Sequence, residues 1–172
     1  EDALRDADEY VISQVLAAAI RQRSYDLILV GYMAVDNGAA QGGPRLAEEL
    51  DIPHVSTAIA LNIQENQVKV ERDVEGDTEI VEAELPMLVT TQQGLNEPRY
   101  PSLPGIMKAK RKPLERLTCK ELGLTPEQLK SRVALIGQGL PPPRKDGVRL
   151  SGTAEETVKQ LVGKLRTDDK VI

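Results

Sequence analysis

The spacing of apolar and polar positions changes character twice along this chain, and the changes divide it into regions. From Tyr10 to Ile20 the apolar residues recur at helical spacing, with Val11, Val15, Ala18 and Ala19 on one side. Asp6, with Glu9 three residues on, supplies an N-cap signal, so an amphipathic helix is predicted here. Tyr25-Asp-Leu-Ile-Leu-Val-Gly31 is instead a continuous apolar run with a polar leader, the pattern of a strand buried on both faces of a parallel sheet. The glycine-rich stretch Gly38 to Gly43 follows, and Pro44 opens Pro-Arg-Leu-Ala-Glu-Glu-Leu50 as a first helical residue, where its missing N–H costs nothing. Helix, strand, glycine loop, helix and strand in that order make half of a doubly wound α/β layer.

After Pro53 the period shortens to two. Val55 to Ile63, Gln67 to Asp73 and Thr78 to Glu84 alternate apolar and polar, separated by turns at Glu65-Asn66 and Glu75-Gly-Asp77, which predicts antiparallel strands with one wet face. Leu85 to Thr91 reads as one more buried strand, and it feeds a long proline-punctuated loop from Gln92 to Pro104. Thr125-Pro-Glu-Gln128 carries the signal of a short helix, and Arg132 to Ile136 that of a brief strand. Gly137 to Arg144, with three consecutive prolines, can be neither helix nor central strand and is a spacer. Thr153-Ala-Glu-Glu156 then caps a last helix with Val158, Leu161, Val162 and Leu165 on one face. The fold class expected is α/β, a doubly wound and mainly parallel sheet with an added antiparallel hairpin region and a C-terminal arm plus helix. The division expected is a domain over 1–124 and the arm and helix over 125–172.

Composition narrows the classes. With 40% hydrophobic and 28% charged residues the 172-residue chain is ordinary for a globular domain. No apolar run approaches the roughly 18 residues of a spanning helix, so membrane insertion is not expected. A net charge of -5 argues against nucleic acid as a partner. One cysteine, Cys119, allows no intrachain disulfide and points to an intracellular setting; one histidine, His54, leaves little for a metal site, and none is expected. Without Phe or Trp, and with only four tyrosines, the core must be aliphatic. Asp73, Glu75, Asp77 and Glu79 crowd a hairpin tip, where solvated turn residues are the default and the spacing misses a calcium loop. No catalytic triad or acid/base pair can be assembled, so no catalytic residue is assigned.

Two segments could carry function. Gly31 to Gly43 lies between a buried strand and a helix, and its small residues Gly38, Ala39, Ala40, Gly42 and Gly43 would let a phosphate approach backbone N–H donors at a helix's positive end. Gln41 could add its amide. The stretch lacks both the dinucleotide fingerprint and the P-loop pattern, and a plain tight turn would use the same residues. Thr91 to Lys112 is too apolar for a disordered linker, carrying Leu95, Tyr100, Leu103, Ile106 and Met107, followed by the basic run Lys108, Lys110, Arg111 and Lys112. It suits protein docking around an apolar anchor, or those side chains fold back onto the core; the cations form a solvated face or steer an acidic partner.

Leu95-Asn-Glu-Pro-Arg-Tyr100 followed by Ser102-Leu-Pro-Gly-Ile-Met-Lys-Ala-Lys110 closely resembles the signature of the beta subunit of electron transfer flavoprotein, and the loop with Asp36 and Gln41 looks like that family's nucleotide loop. The likeness runs from Tyr25 to about Leu124. It implies an electron-carrier subunit, with no acid/base site of its own, paired with an alpha subunit that holds an FAD. Carried over by position, Gly31, Asp36, Ala39, Ala40, Gln41, Gly42 and Gly43 would hold AMP or a second FAD. Leu95, Asn96, Glu97, Pro98, Arg99, Tyr100, Ile106, Met107, Lys108 and Lys110 would dock soluble dehydrogenases or a quinone oxidoreductase. The arm from Gln138 and the last helix would embrace the alpha subunit. Where AMP-binding members have Asn and Thr around the shared Gln, this chain has Ala40 and Gly42, with Pro44 following, which looks more like the flavin-bifurcating branch and favours FAD. An FAD there would make the complex an NADH-oxidising oxidoreductase, although Tyr32 and Met33 replace the basic-Gln pair common in that branch. The resemblance also implies a bacterial cytoplasm or a mitochondrial matrix, and a further N-terminal portion. An adenine-nucleotide sensor without redox function is the alternative, and the 91–112 segment tells the two apart, because a sensor has no use for a dehydrogenase-docking signature.

Overall fold

The computed structural model describes residues 4–144, 146–168 and 170–171. The chain divides into two compact units between Ala134 and Leu135. The first contains helix α1 (Glu9–Ile20), strand β1 (Leu27–Gly31), helix α2 (Gly42–Leu50), strands β2 (His54–Gln64), β3 (Gln67–Val74), β4 (Asp77–Glu84) and β5 (Met87–Thr91), and helix α3 (Leu103–Ala109). The second contains helix α4 (Ala154–Thr167).

The architecture is α/β around one mixed sheet of order β1-β5-β2-β3-β4. β1 and β2 run parallel to β5 on either side of it, and β3 and β4 continue antiparallel from β2. Because successive strand residues face opposite ways, β5 feeds two cores. Met87 and Val89 pack with Val55, Ala58, Val68 and Val70 on one face, and Leu88 packs with Ala17, Leu46 and Ala47 under the two helices on the other.

The strand buried on both faces is thus β5 rather than β1. Among the described residues β1 lies at the sheet's edge, and its Leu29 is 52% exposed. The first helix starts later than its cap signal suggests. Asp8, not Asp6, is the N-cap, because its carboxylate accepts from the Val11 N–H at 3.0 Å and also from the Arg132 and Val133 N–H groups at 2.5 and 3.0 Å. The buried face of α1 is Val11, Ser13, Gln14 and Ala17, rotated from the predicted one: Ser13 donates to the Tyr10 carbonyl at 2.8 Å and Gln14 accepts from Gln128 at 3.3 Å.

Other elements shift for local reasons. α2 begins at Gly42, so Pro44 is its third residue, still within the first turn where no intrahelical N–H bond is lost. β5 begins two residues late, after a cis Leu85–Pro86 peptide. The Thr91 to Lys112 segment, for which the sequence predicts no helix, contains α3, capped by Ser102, whose Oγ accepts from Gly105 N–H at 3.2 Å. At Thr125 the cap forms, Gln128 reaching back to the Thr125 N–H at 3.0 Å, but a single turn follows in place of a helix. Arg132 to Ile136 is not a strand, since the N–H groups of Arg132 and Val133 are spent on Asp8.

Candidate functional site

The loop after β1 and the start of α2 enclose a cleft of about 210 Å³ lined by Glu9, Gly31 to Ala34, Asn37 and Ala39 to Gly43. It opens at the carboxyl end of a parallel strand, where ligands of α/β sheets commonly sit. Gly38 and Ala40 have φ near +60° (60° and 53°), which turns the chain sharply into the helix. Gln41 is the helix N-cap, yet its side chain makes no capping bond; its Oε1 accepts from Arg45 Nε and Nη2 at 3.0 and 2.9 Å. The first-turn N–H groups of Gly42 and Gly43 precede the first intrahelical bond, so the helix's positive end faces the cleft with donors to spare.

The two glycines differ in what surrounds them. A Cβ on Gly42 would stand in open space, and one on Gly43 would meet Thr90 Cγ2 at 2.5 Å and Val30 Cγ2 at 3.0 Å. Gly43 lets α2 sit against the sheet, and Gly42 lines the cleft with free space beside it. Of the residues singled out by sequence, Gly31, Ala39, Ala40, Gln41, Gly42 and Gly43 line the cleft, whereas Asp36 does not: it is exposed, with its carboxylate accepting from the Asn37 N–H at 2.9 Å. Sequence reasoning missed Glu9 and Asn37. Asn37 Nδ2 donates to Glu9 Oε1 at 3.1 Å, and Asn37 Oδ1 accepts from the Ala39 N–H at 3.1 Å, so one amide braces the loop against α1. No local motif marks Glu9; only the folded chain brings it to the cleft. The α1 cap beside it is strongly held. Burial works against the Asp8 carboxylate, but the backbone donors of Val11, Arg132 and Val133, with the charge of Arg45, outweigh it and hold its pKa below the ordinary value.

The second candidate leaves the same end of the sheet. Gly31 pairs with Thr91 at the last rung of the parallel ladder, and the Tyr32 N–H donates to the Thr91 carbonyl at 3.2 Å, so the two segments diverge from neighbouring strand ends. Asn96, Glu97, Pro98 and Arg99 are exposed, as are Lys108 and Lys110. Tyr100 (98% exposed), Leu103, Ile106 and Met107 present apolar surface to solvent, while Leu95 is only half-exposed. None of Leu95, Tyr100, Leu103, Ile106 and Met107 packs with either core cluster.

Comparison with known proteins decides the family. The model of the electron transfer flavoprotein domain matches residues 1–122. The chain is 51% identical over its full 172 residues to an electron transfer flavoprotein subunit beta of Bacillus subtilis, covering 67% of that protein. The chain belongs to the electron transfer flavoprotein family. Within it, a subunit beta from Sus scrofa is 37% identical over 90% of the chain and 58% of its own length, and one from Syntrophomonas wolfei 33% over 96% and 63%. The chain thus spans about three fifths to two thirds of these electron transfer flavoprotein relatives. Among the described residues no helix is long and apolar enough to cross a membrane, and no group of three His, Cys, Asp or Glu side chains is placed to hold a metal ion.

Proposed function

We propose that the chain is the nucleotide-binding and docking part of an electron-carrier beta subunit, paired with an FAD-bearing alpha subunit. The observation that carries this reading is the shared sheet end: a cleft with free helix-terminal N–H donors and an exposed apolar-basic segment leave adjacent strands β1 and β5. A carrier needs a held nucleotide and a surface for its redox partners, and the β1–β5 ladder sets the roots of the two candidate segments side by side. In this reading the backbone of Gly42 and Gly43 holds phosphate, Gln41 contributes its amide, and Glu9 and Asn37 brace the wall. The open space at Gly42 and the small side chain of Ala40 suit a diphosphate, so FAD is favoured over AMP. A flavin bound there would supply electron transfer, and the chain's own residues would supply only binding and orientation. The 91–112 segment would dock soluble dehydrogenases or a quinone oxidoreductase, and the C-terminal arm and α4 would pack on the alpha subunit. The setting is a bacterial cytoplasm or its mitochondrial counterpart.

The test is to co-express the full-length chain with its alpha subunit, denature the complex and identify the released nucleotides by chromatography. Two FAD per heterodimer is the expected result, and Gly42→Glu should remove one of them. One FAD with one AMP would keep the carrier but remove the flavin from this site. Nucleotide content untouched by Gly42→Glu would overturn the site.

A further inference from the structure

Thr57 has φ +58°, a left-handed conformation that β-branched residues rarely adopt. It sits where the pairing of β2 with β5 shifts register between Val55 and Ala58, and where β2 leaves its parallel neighbour for its antiparallel one. Two groups hold it there. Its N–H donates to the Oγ1 of buried Thr90 at 3.0 Å, and its hydroxyl lies 2.7 Å from the Ser56 carbonyl and 3.0 Å from that of Asp73.

The bulge brings the end of β3 beside the end of β5. Gln92, the first residue after β5, donates from Nε2 to Asp73 Oδ2 at 3.1 Å and from its N–H to the Ala58 carbonyl at 3.0 Å, and its own carbonyl lies 3.4 Å from the Leu95 N–H. Among the described residues no further hydrogen bond ties 96–101 to the rest of the chain before Ser102 caps α3. The direction in which the segment leaves the sheet is therefore set at Gln92. Asp73 belongs to the acidic hairpin tip that the sequence alone assigns only to solvent.

We propose that Asp73, acting through the Gln92 side chain on the Thr57 bulge, is a positioning residue for the docking segment. This rests on the docking reading above. Without the bond, Gln92 keeps its backbone contacts but its side chain no longer braces the root of the segment, which samples more directions and presents Leu95, Tyr100 and Leu103 to a partner less often. The chemistry asks only for an oxygen acceptor at position 73, not for a charge.

The experiment compares Asp73→Ala with Asp73→Asn in the full-length heterodimer, because the asparagine keeps an acceptor for the Gln92 amide. Amide hydrogen exchange at Leu95, whose N–H is held by the Gln92 carbonyl, is expected to quicken about fivefold in Asp73→Ala, the worth of one ordinary hydrogen bond, and to stay at the parent rate in Asp73→Asn. The KM for a soluble dehydrogenase, isolated from the same cells by its ability to reduce the heterodimer, should rise by a similar factor in Asp73→Ala with kcat and bound nucleotide unchanged, and return in Asp73→Asn. Exchange unchanged in Asp73→Ala overturns the positioning role. Leu95→Ala, run alongside, tests the docking reading by itself: if it leaves KM unmoved, docking is refuted, while the exchange data still decide whether Asp73 orders the segment.

Discussion

Gly42 and Gly43 are neighbours with opposite surroundings, and the difference lets the proposed nucleotide binding be tested apart from folding. A methyl group at Gly43 must displace Thr90 or Val30, both seated in the sheet that supports the cleft. Gly43→Ala is expected to cost about 1–3 kcal/mol of stability by overpacking, read as a lowered urea midpoint. Gly42→Glu should lose nucleotide and, with both proteins stripped of nucleotide, keep the parent's midpoint, because its side chain enters open space and adds a negative charge at the helix end. A Gly42→Glu midpoint as low as that of Gly43→Ala would contradict the distinction. Asp8 gives a second prediction at this scale. Its folded-state pKa is depressed, so its contribution is present above the unfolded value and is lost as pH falls through the folded one. Asp8→Ala should therefore cost about 1 kcal/mol near pH 7, the usual worth of an N-cap, and the gap to the parent should close as pH drops below the carboxyl's ordinary 3.8. A gap constant down to acid pH would show that the carboxylate's charge contributes nothing.

The elements were most legible in sequence where the signal was local. Alternation placed β2, β3 and β4, and the Thr153 capping box placed the start of α4, where both reciprocal bonds form. What escaped was fixed by distant partners. The true cap of α1 depends on Arg132 and Val133, more than a hundred residues away, and the same pair of bonds removes the strand that Arg132 to Ile136 would otherwise make. A continuous apolar run says that a strand is apolar, not which neighbours cover it, so β1 and β5 could not be told apart. In the site, the glycine loop was legible because small residues cluster in sequence, and Glu9 was not because it arrives from another element. α4 was readable as amphipathic, and in the second unit none of its residues is buried; Val158, Leu161 and Val162 are 59%, 47% and 36% exposed. If that face packs on the alpha subunit, Leu161→Glu should weaken heterodimer association in analytical ultracentrifugation while far-UV helicity is kept. Thr153→Ala should lower helicity and association together, since it removes the cap that starts the helix. Association untouched by Leu161→Glu would place the alpha-subunit contact elsewhere.

Across the whole molecule, charge is distributed against the net value. The chain carries -5, yet Lys108, Lys110, Arg111 and Lys112 stand together and exposed at the end of α3, directly after the apolar side chains Leu103, Ile106 and Met107. A cationic rim beside an apolar patch steers an acidic partner and leaves the short-range grip to the apolar atoms. Steering of this kind is screened over about 10 Å at 0.1 M salt. The KM for a dehydrogenase should therefore climb with ionic strength while kcat stays level. The double variant Lys108→Glu with Lys110→Glu should raise KM at low salt and flatten that climb, with nucleotide content and urea midpoint as in the parent. Leu103→Ala should instead raise KM equally at every salt concentration, because the contact it removes carries no charge. If the lysine double variant keeps the parent's salt slope, the basic run is a solvated face and partner recognition rests on the apolar residues alone.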